Sequence, residues 1–251
     1  MTSPWSIDQG KMIDQILIPK SQFGSDDAWV VIDSLSQFAR RAKQEGGFSD
    51  AEIPEELLWN SQVTAVWAQI SRNGIAGYIG NSIVSERGDP VRLERNREAA
   101  KQGFSVAGAA ENLEIFCGIW TAYDMFTDDF VEAYDRCQFY KNSTTQALEE
   151  RWFALDENAF LGERVAWIRG LSNLQPVDDS FYEADIVRLW DRNPLRDVRL
   201  QELQRAQDAQ RQEIARIEHQ QAAAWSKIKS RAAQGRKSGG LVSAVRAFWK
   251  N

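Results

Sequence analysis

Apolar positions along this chain recur at helical spacing, and one stretch sets the pattern for the rest. Trp59, Val63, Val66, Trp67 and Ile70 fall at i, i+4, i+7, i+8 and i+11, a single stripe on a helix. Asn73-Gly74 follows, a pair that accepts positive φ and so ends a helix at little cost. Gly74, Gly77 and Gly80 then alternate with Ile75, Tyr78 and Ile79, which predicts a second short helix that a neighbour can approach closely. Helix, sharp stop, helix is therefore the expected centre of the fold.

The same logic places elements on either side. Asp26-Asp27 predict the cap of a helix to about Lys43, with Trp29, Ile32, Leu35 (or Ser36) and Ala39 inward and Gly46-Gly47 as its stop. Ser49-Asp50-Ala51-Glu52 has the spacing of a capping box, and Pro54 suits a first turn. Asp89-Pro90 opens a strongly charged helix, a solvated face through Arg92, Glu94, Arg95, Arg97 and Glu98. Residues 103–126 read as one central helix. The small run Ala107, Gly108, Ala109, Ala110 leads into a stripe of Leu113, Phe116, Cys117 and Trp120. Thr127 is the expected cap of a helix that turns Phe130, Tyr134 and Cys137 inward.

Leu148, Trp152 and Leu155 mark another helix, and Phe160, Val165, Ile168 and Leu171 one more. Pro176 and Asp178-Asp179 interrupt the pattern. Ser180-Phe181-Tyr182-Glu183 is a second capping-box spacing, ahead of Ile186, Leu189 and Trp190. Residues 1–24 read as a docked arm. No segment alternates with period two, so strands are not expected.

Asn193-Pro194 opens a pattern of another kind. Residues 195–233 contain no Gly or Pro, and the apolar positions thin to Leu200, Leu203, Ile214, Ile217, Ala224 and Ile228. Gln207, Gln210 and Gln221 interrupt their seven-residue register. This predicts a long helix that docks part of its length, or a weak coiled coil whose polar layers disfavour a stand-alone dimer. Gly235, Gly239 and Gly240 then precede a short amphipathic helix with Leu241, Val242, Val245, Phe248 and Trp249 on one broad face.

The expected fold is thus all-α: a compact multi-helix bundle, then a long C-terminal helix and a short basic amphipathic helix. Residues 1–190 form one domain in this reading and residues 191–251 another. With 251 residues, 43 % apolar, ten Trp and twelve Phe, the chain has ample material for a core. The opening residues show neither a basic start nor an apolar run, so no secretory signal is expected. Apolar runs stay far short of the roughly 20 residues a membrane span needs. Cys117 and Cys137 read as reduced core residues, and the expected location is cytoplasmic. In that compartment the sequon Asn142-Ser143-Thr144 meets no glycosylating machinery.

Charge divides the chain. The net −6 combines 36 acids and 30 bases, yet the first 190 residues hold 30 acids and 17 bases, net −13. Residues 219–251 hold seven bases and no acid. An acidic body disfavours direct contact with the phosphates of nucleic acid, whereas the basic end offers a tail helix for exposed core, a membrane surface or an acidic partner.

Catalytic and metal signatures are sparse. His219 is the single histidine, so no zinc-type ligand spacing and no Ser-His or Cys-His constellation is present. Gly103-Phe104-Ser105-Val106-Ala107-Gly108 lacks the Lys-Ser/Thr ending of a phosphate loop. Acids cluster at Asp124, Asp128, Asp129, Glu132 and Asp135; at Glu149, Glu150, Asp156 and Glu157; and at Asp178, Asp179, Glu183 and Asp185. They serve as caps and solvated faces, or they line up to present a row of negative charge to a basic partner. A carboxylate pair holding a divalent cation is a further alternative.

The segment Arg72-Asn73-Gly74-Ile75-Ala76-Gly77-Tyr78-Ile79-Gly80-Asn81-Ser82, with Phe104 to Trp120 behind it, resembles a small bacterial domain family that includes a DNA-mimic protein. The likeness spans about residues 50–135. It sets Asn73, Gly74, Gly77, Tyr78 and Asn81 as a structural motif, with Ile75 where the family has a second Gly. The resemblance implies an all-α, non-enzymatic fold, and in the mimic member acidic side chains imitate duplex phosphates.

The leading expectation is a non-enzymatic, cytoplasmic interaction protein without cofactor or metal. Its acidic surface would bind and regulate or inhibit a basic protein partner, with a nucleic-acid-binding protein as first candidate. Asp124, Asp128, Asp129, Glu132, Asp135, Glu149 and Glu150 are the expected contact residues. The alternative is a peripheral membrane or assembly scaffold acting through Leu241, Val245, Phe248 and Trp249; a carboxylate/divalent-metal enzyme comes third.

Overall fold

β1 (Ile16–Pro19) and β2 (Leu174–Val177) pair in parallel, Ile16 opposite Leu174 and Pro19 opposite Val177, and bring the two ends of the bundle together. The structure, a computed structural model, describes residues 12–236. Helices carry the rest. In chain order they are α1 (Lys20–Phe23), α2 (Ala28–Gln44), α3 (Glu55–Gly88), α4 (Pro90–Val106), α5 (Ala110–Met125), α6 (Thr127–Asp135), α7 (Ser143–Ala154), α8 (Glu157–Arg169), α9 (Asp179–Trp190) and α10 (Arg196–Arg236). The all-α expectation holds, with one small parallel sheet added.

That sheet corrects the expectation of no strands. All four β1 residues are buried, so no polar alternation marks them. Pro176 sits in β2, a strand with a neighbour on one side only, where a missing N–H is tolerated.

α3 is the long axis of the first unit and packs most extensively on α4. Where they cross, a Cβ on Gly103 would lie 2.6 Å from Val63 Cγ2 and 2.9 Å from Trp59 O, so only glycine permits the approach. Around the crossing Trp67 stacks on Phe160, centroids 4.5 Å apart and planes 19° apart, and tilts against Trp152 at 5.2 Å. Phe104 joins them through Phe116 and Trp152. A second cluster sets Trp190 of α9 against Phe38 and Phe48. Val63, Val66, Trp67 and Ile70 are buried as their spacing predicts, and Trp59 is half-buried.

A polar hub lies inside this apolar core. Asn60, fully buried, donates from Nδ2 to Ile32 O at 3.0 Å and to Ser36 Oγ at 3.2 Å on α2. Arg164 of α8, 1 % exposed, donates from Nη2 to Asn60 Oδ1 at 2.7 Å and to Thr64 Oγ1 at 2.8 Å. No carboxylate pairs with it among the described residues, and its Nη1 has no hydrogen-bond partner there. Burial lowers the guanidinium pKa to about 9.

Ion pairs fasten the periphery. Arg41 of α2 grips Glu183 of α9 with two bonds of 2.8 and 2.7 Å. Asp50 joins Lys43 to Arg95 at 2.8 and 2.7 Å. Asn193, buried, accepts from Leu195 N–H and donates to Gly46 O at 2.7 Å, so the predicted start at Asn193-Pro194 is anchored on the α2 stop.

Several local expectations are revised. Residues 103–126 are not one helix: the chain turns at Gly108, φ +77°, between α4 and α5. Thr127 does not cap α6; its hydroxyl donates back to Tyr123 O at 2.8 Å, in the last turn of α5. Glu183 pairs with Arg41 instead of closing a box with Ser180, and α9 begins earlier, at Asp179. Glu52 does return to the Ser49 N–H at 2.8 Å, but this closes a turn, and α3 begins at Glu55. Cys117 and Cys137 are exposed, because each lies on the solvent side of its helix end or stripe. Cys137 also adopts φ +56° just beyond α6.

The chain divides into two units, the first ending at Arg196 and the second beginning at Asp197. The second consists, in the described residues, of α10 from Asp197 onward; the whole helix has 41 residues, about 60 Å. No helix among the described residues is long and apolar enough to cross a membrane.

Candidate functional site

The glycine motif forms a kink within α3. Of Asn73-Gly74, only Gly74 takes positive φ, with φ 68° and ψ 177°, a region essentially reserved for glycine. The break exposes the N-terminus of the second half-helix, and Glu149 of α7 fills it. Its Oε2 accepts from Ile75 N–H at 2.7 Å, and a Cβ on Gly74 would lie 2.5 Å from that same oxygen. A carboxylate here satisfies an orphan donor and meets the positive end of the helix dipole. Asn73 folds back over Gly77, where a Cβ would sit 2.5 Å from Asn73 Cβ.

Tyr78 is buried edge-on against Trp120, centroids 5.9 Å apart, and burial pushes its hydroxyl pKa up. Arg97 of α4 stacks on the other ring system of this corner, 3.8 Å from the Trp120 centroid. Asn81 is exposed and donates to Gln69 Oε1 at 3.4 Å. Between the two halves of α3 and α4 lies a cavity of about 100 Å³ lined by Gln62, Gln69, Asn81, Ser82, Asn96 and Arg97. Carboxamides, hydroxyls and one cation can hydrogen-bond a small polar group, and the space equals about three waters. Among the described residues no three His, Cys, Asp or Glu side chains come together as metal ligands.

The second feature is the acidic stretch that runs from the start of α5 into α8. Residues 110–163 contain twelve acids and three bases, a net charge of −9. Eleven of the twelve are exposed, and Glu149 is half-buried at the kink. All three bases are already engaged by acids of the same stretch: Arg136 with Glu132, Lys141 with Glu149 at 3.9 Å, and Arg151 with Glu114 at 2.9 Å. On α5, Glu111, Glu114, Cys117, Thr121 and Asp124 follow each other at three- and four-residue steps and form one exposed stripe. On α6, Asp128, Glu132 and Asp135 do the same at i, i+4 and i+7.

The expected contact residues therefore divide. Asp124, Asp128, Asp129 and Glu150 are exposed with no ion pair in the described structure. Asp135 is held by Arg87 with bonds of 2.8 and 3.2 Å, which keeps its carboxyl pKa below the usual range. Glu132 is paired with Arg136, and Glu149 belongs to the kink. Sequence reasoning missed the exposed apolar side chains of this stretch: Met125, Phe139 and Phe153 are 68, 65 and 57 % exposed. Phe153 sits one position off the Leu148–Trp152 stripe, which was the available signal. Phe139 rests its ring against Gly80, 3.5 Å from a Cβ placed there. Leu241, Val245, Phe248 and Trp249 lie outside the described residues. His219 is exposed on α10.

In comparisons with known proteins, no family model, no curated protein and no solved structure matches the chain. The likeness of residues 50–135 to the family with the DNA-mimic member thus stands on its sequence motif alone.

Proposed function

We propose that this is a non-enzymatic, cytoplasmic interaction protein whose α5–α8 face binds and regulates or inhibits a basic protein partner, with a nucleic-acid-binding protein as first candidate. One observation carries the reading: a net charge of −9 over residues 110–163 in which every base is consumed by a neighbouring acid. The remaining carboxylates attract a cationic surface at long range and set its orientation. Met125, Phe139 and Phe153 supply the apolar anchors that purely charged contacts lack.

The test is capture from the organism that encodes the chain, with the wild type and a variant carrying Asp124→Asn, Asp128→Asn, Asp129→Asn and Glu150→Gln as parallel baits. A basic nucleic-acid-binding protein should be retained by the wild type, lost from the variant and released by added duplex DNA. Equal retention by both baits, or release by salt but not by DNA at matched ionic strength, refutes the mimic reading.

A further inference from the structure

α10 leaves its apolar positions in solvent: Leu203, Ile214 and Ile217 are 37, 49 and 42 % exposed. In a heptad register Leu203, Gln210 and Ile217 occupy d, and Gln207, Ile214 and Gln221 occupy a. Such a face wants a second helix, and the flanking charges say which way it runs. In a parallel, in-register pair the g position of one helix meets the following e position of the other. That sets Glu213 against the partner's Glu218, a like-charge contact on both sides.

An antiparallel pair reverses the sign. With Ile214 opposite the partner's Ile217, Gln210 falls opposite the partner's Gln221, so apolar layers meet apolar layers and carboxamides meet carboxamides. A slip of one heptad would put Ile214 against the partner's Gln210 and strand the amide among methyls. In the matched register the e positions face each other across the helix seam, and Arg211 meets the partner's Glu218. The two-fold axis repeats each contact, giving four central layers and two opposite-charge pairs. Among the described residues of the single chain Arg211 pairs with Asp208, at 3.4 Å on the exposed surface, a weak contact that a second copy can replace.

We infer that the chain self-associates through α10 as an antiparallel two-helix coiled coil centred between residues 215 and 216. The glutamine layers, which weaken the seam, fix its register and orientation. The reading is independent of the acidic face of the first unit.

Sedimentation of the full-length chain tests it. The wild type should show a monomer–dimer equilibrium. Arg211→Glu alone, or Glu218→Arg alone, should raise the dimer dissociation constant about tenfold by turning two attractive pairs into repulsive ones. The double variant Arg211→Glu/Glu218→Arg should restore it, with helix content by circular dichroism unchanged throughout. A chain monomeric over the whole accessible concentration range overturns the inference, as does a dimer indifferent to these changes. A dimer that Glu218→Arg tightens is parallel, since that arginine would face the partner's Glu213, and this also overturns it. In a background with Cys117 and Cys137 replaced by Ser, Ile214→Cys mixed with Ile217→Cys should cross-link across the two chains, whereas Ile214→Cys alone should not.

Discussion

Arg164 offers the sharpest test of the packing argument. Among the described residues it is a buried cation held by neutral groups, through Nη2 to Asn60 Oδ1, Asn60 O and Thr64 Oγ1. Burial depresses its pKa to about 9. At about 1.4 kcal/mol per pH unit, that depression represents roughly 5 kcal/mol of penalty for keeping the charge inside. Arg164→Met removes the charge and keeps most of the volume. It also leaves Asn60 Oδ1 without its donor, a cost of about 1–3 kcal/mol. The net expectation at pH 7 is a gain of about 2–4 kcal/mol in stability. Asn60→Ala acts the other way. It removes the charge-assisted acceptor and two bonds to α2 while the cation stays, so it should cost about 3–5 kcal/mol.

The decisive variant combines the two. Asn60→Ala/Arg164→Met should be more stable than Asn60→Ala, because the second change removes the stranded charge. Urea unfolding followed by tryptophan fluorescence reads each difference. A pH series adds a sign. The folded pKa lies below the unfolded one, so the penalty is complete below pH about 9 and is relieved as pH rises above it. The wild type should therefore gain stability relative to Arg164→Met on the alkaline side. If Arg164→Met costs more than about 2 kcal/mol, or the double variant is worse than Asn60→Ala, the hub is a net stabiliser and the reasoning fails.

Four further outcomes are expected. Gly74→Ala forces a side chain into a glycine-only conformation and against Glu149 Oε2, and should cost about 3 kcal/mol or more. Glu149→Ala, which uncaps Ile75 and gives up the long, exposed contact with Lys141, should cost about 1–2 kcal/mol in the same urea assay. Burial pushes the Asp50 carboxyl up, but Lys43 and Arg95 together hold it below its ordinary value. The stability it adds is present above pH about 4 and lost as pH falls through its folded pKa, so Asp50→Asn should flatten the acid limb of the stability profile. Both thiols should react with maleimide in the native state at the rate of exposed cysteines; protection of either would contradict the placement of Cys117 and Cys137.

Periodicity alone determined the helical class, the stop at Gly74 and most of the core, because apolar spacing and a glycine with no Cβ are local properties that burial has to respect. The stripes of Trp67, Trp152, Phe160 and Ile186 went inside as read. Tertiary structure decided what local pattern leaves open. Four-residue strands are too short to show a period, and only the meeting of residues 16–19 with 174–177 made them a sheet. Whether an acid caps, pairs or faces solvent depends on what lies opposite it. Thus Glu149 was claimed by a helix end 74 residues away, Asp135 by Arg87 and Glu183 by Arg41, while Asp124, Asp128, Asp129 and Glu150 kept their charge for the exterior. Arg164 is the extreme case: a charged residue in an ordinary helix pattern reads as surface, and only the convergence of α2, α3 and α8 supplies the dipoles that let it stay within.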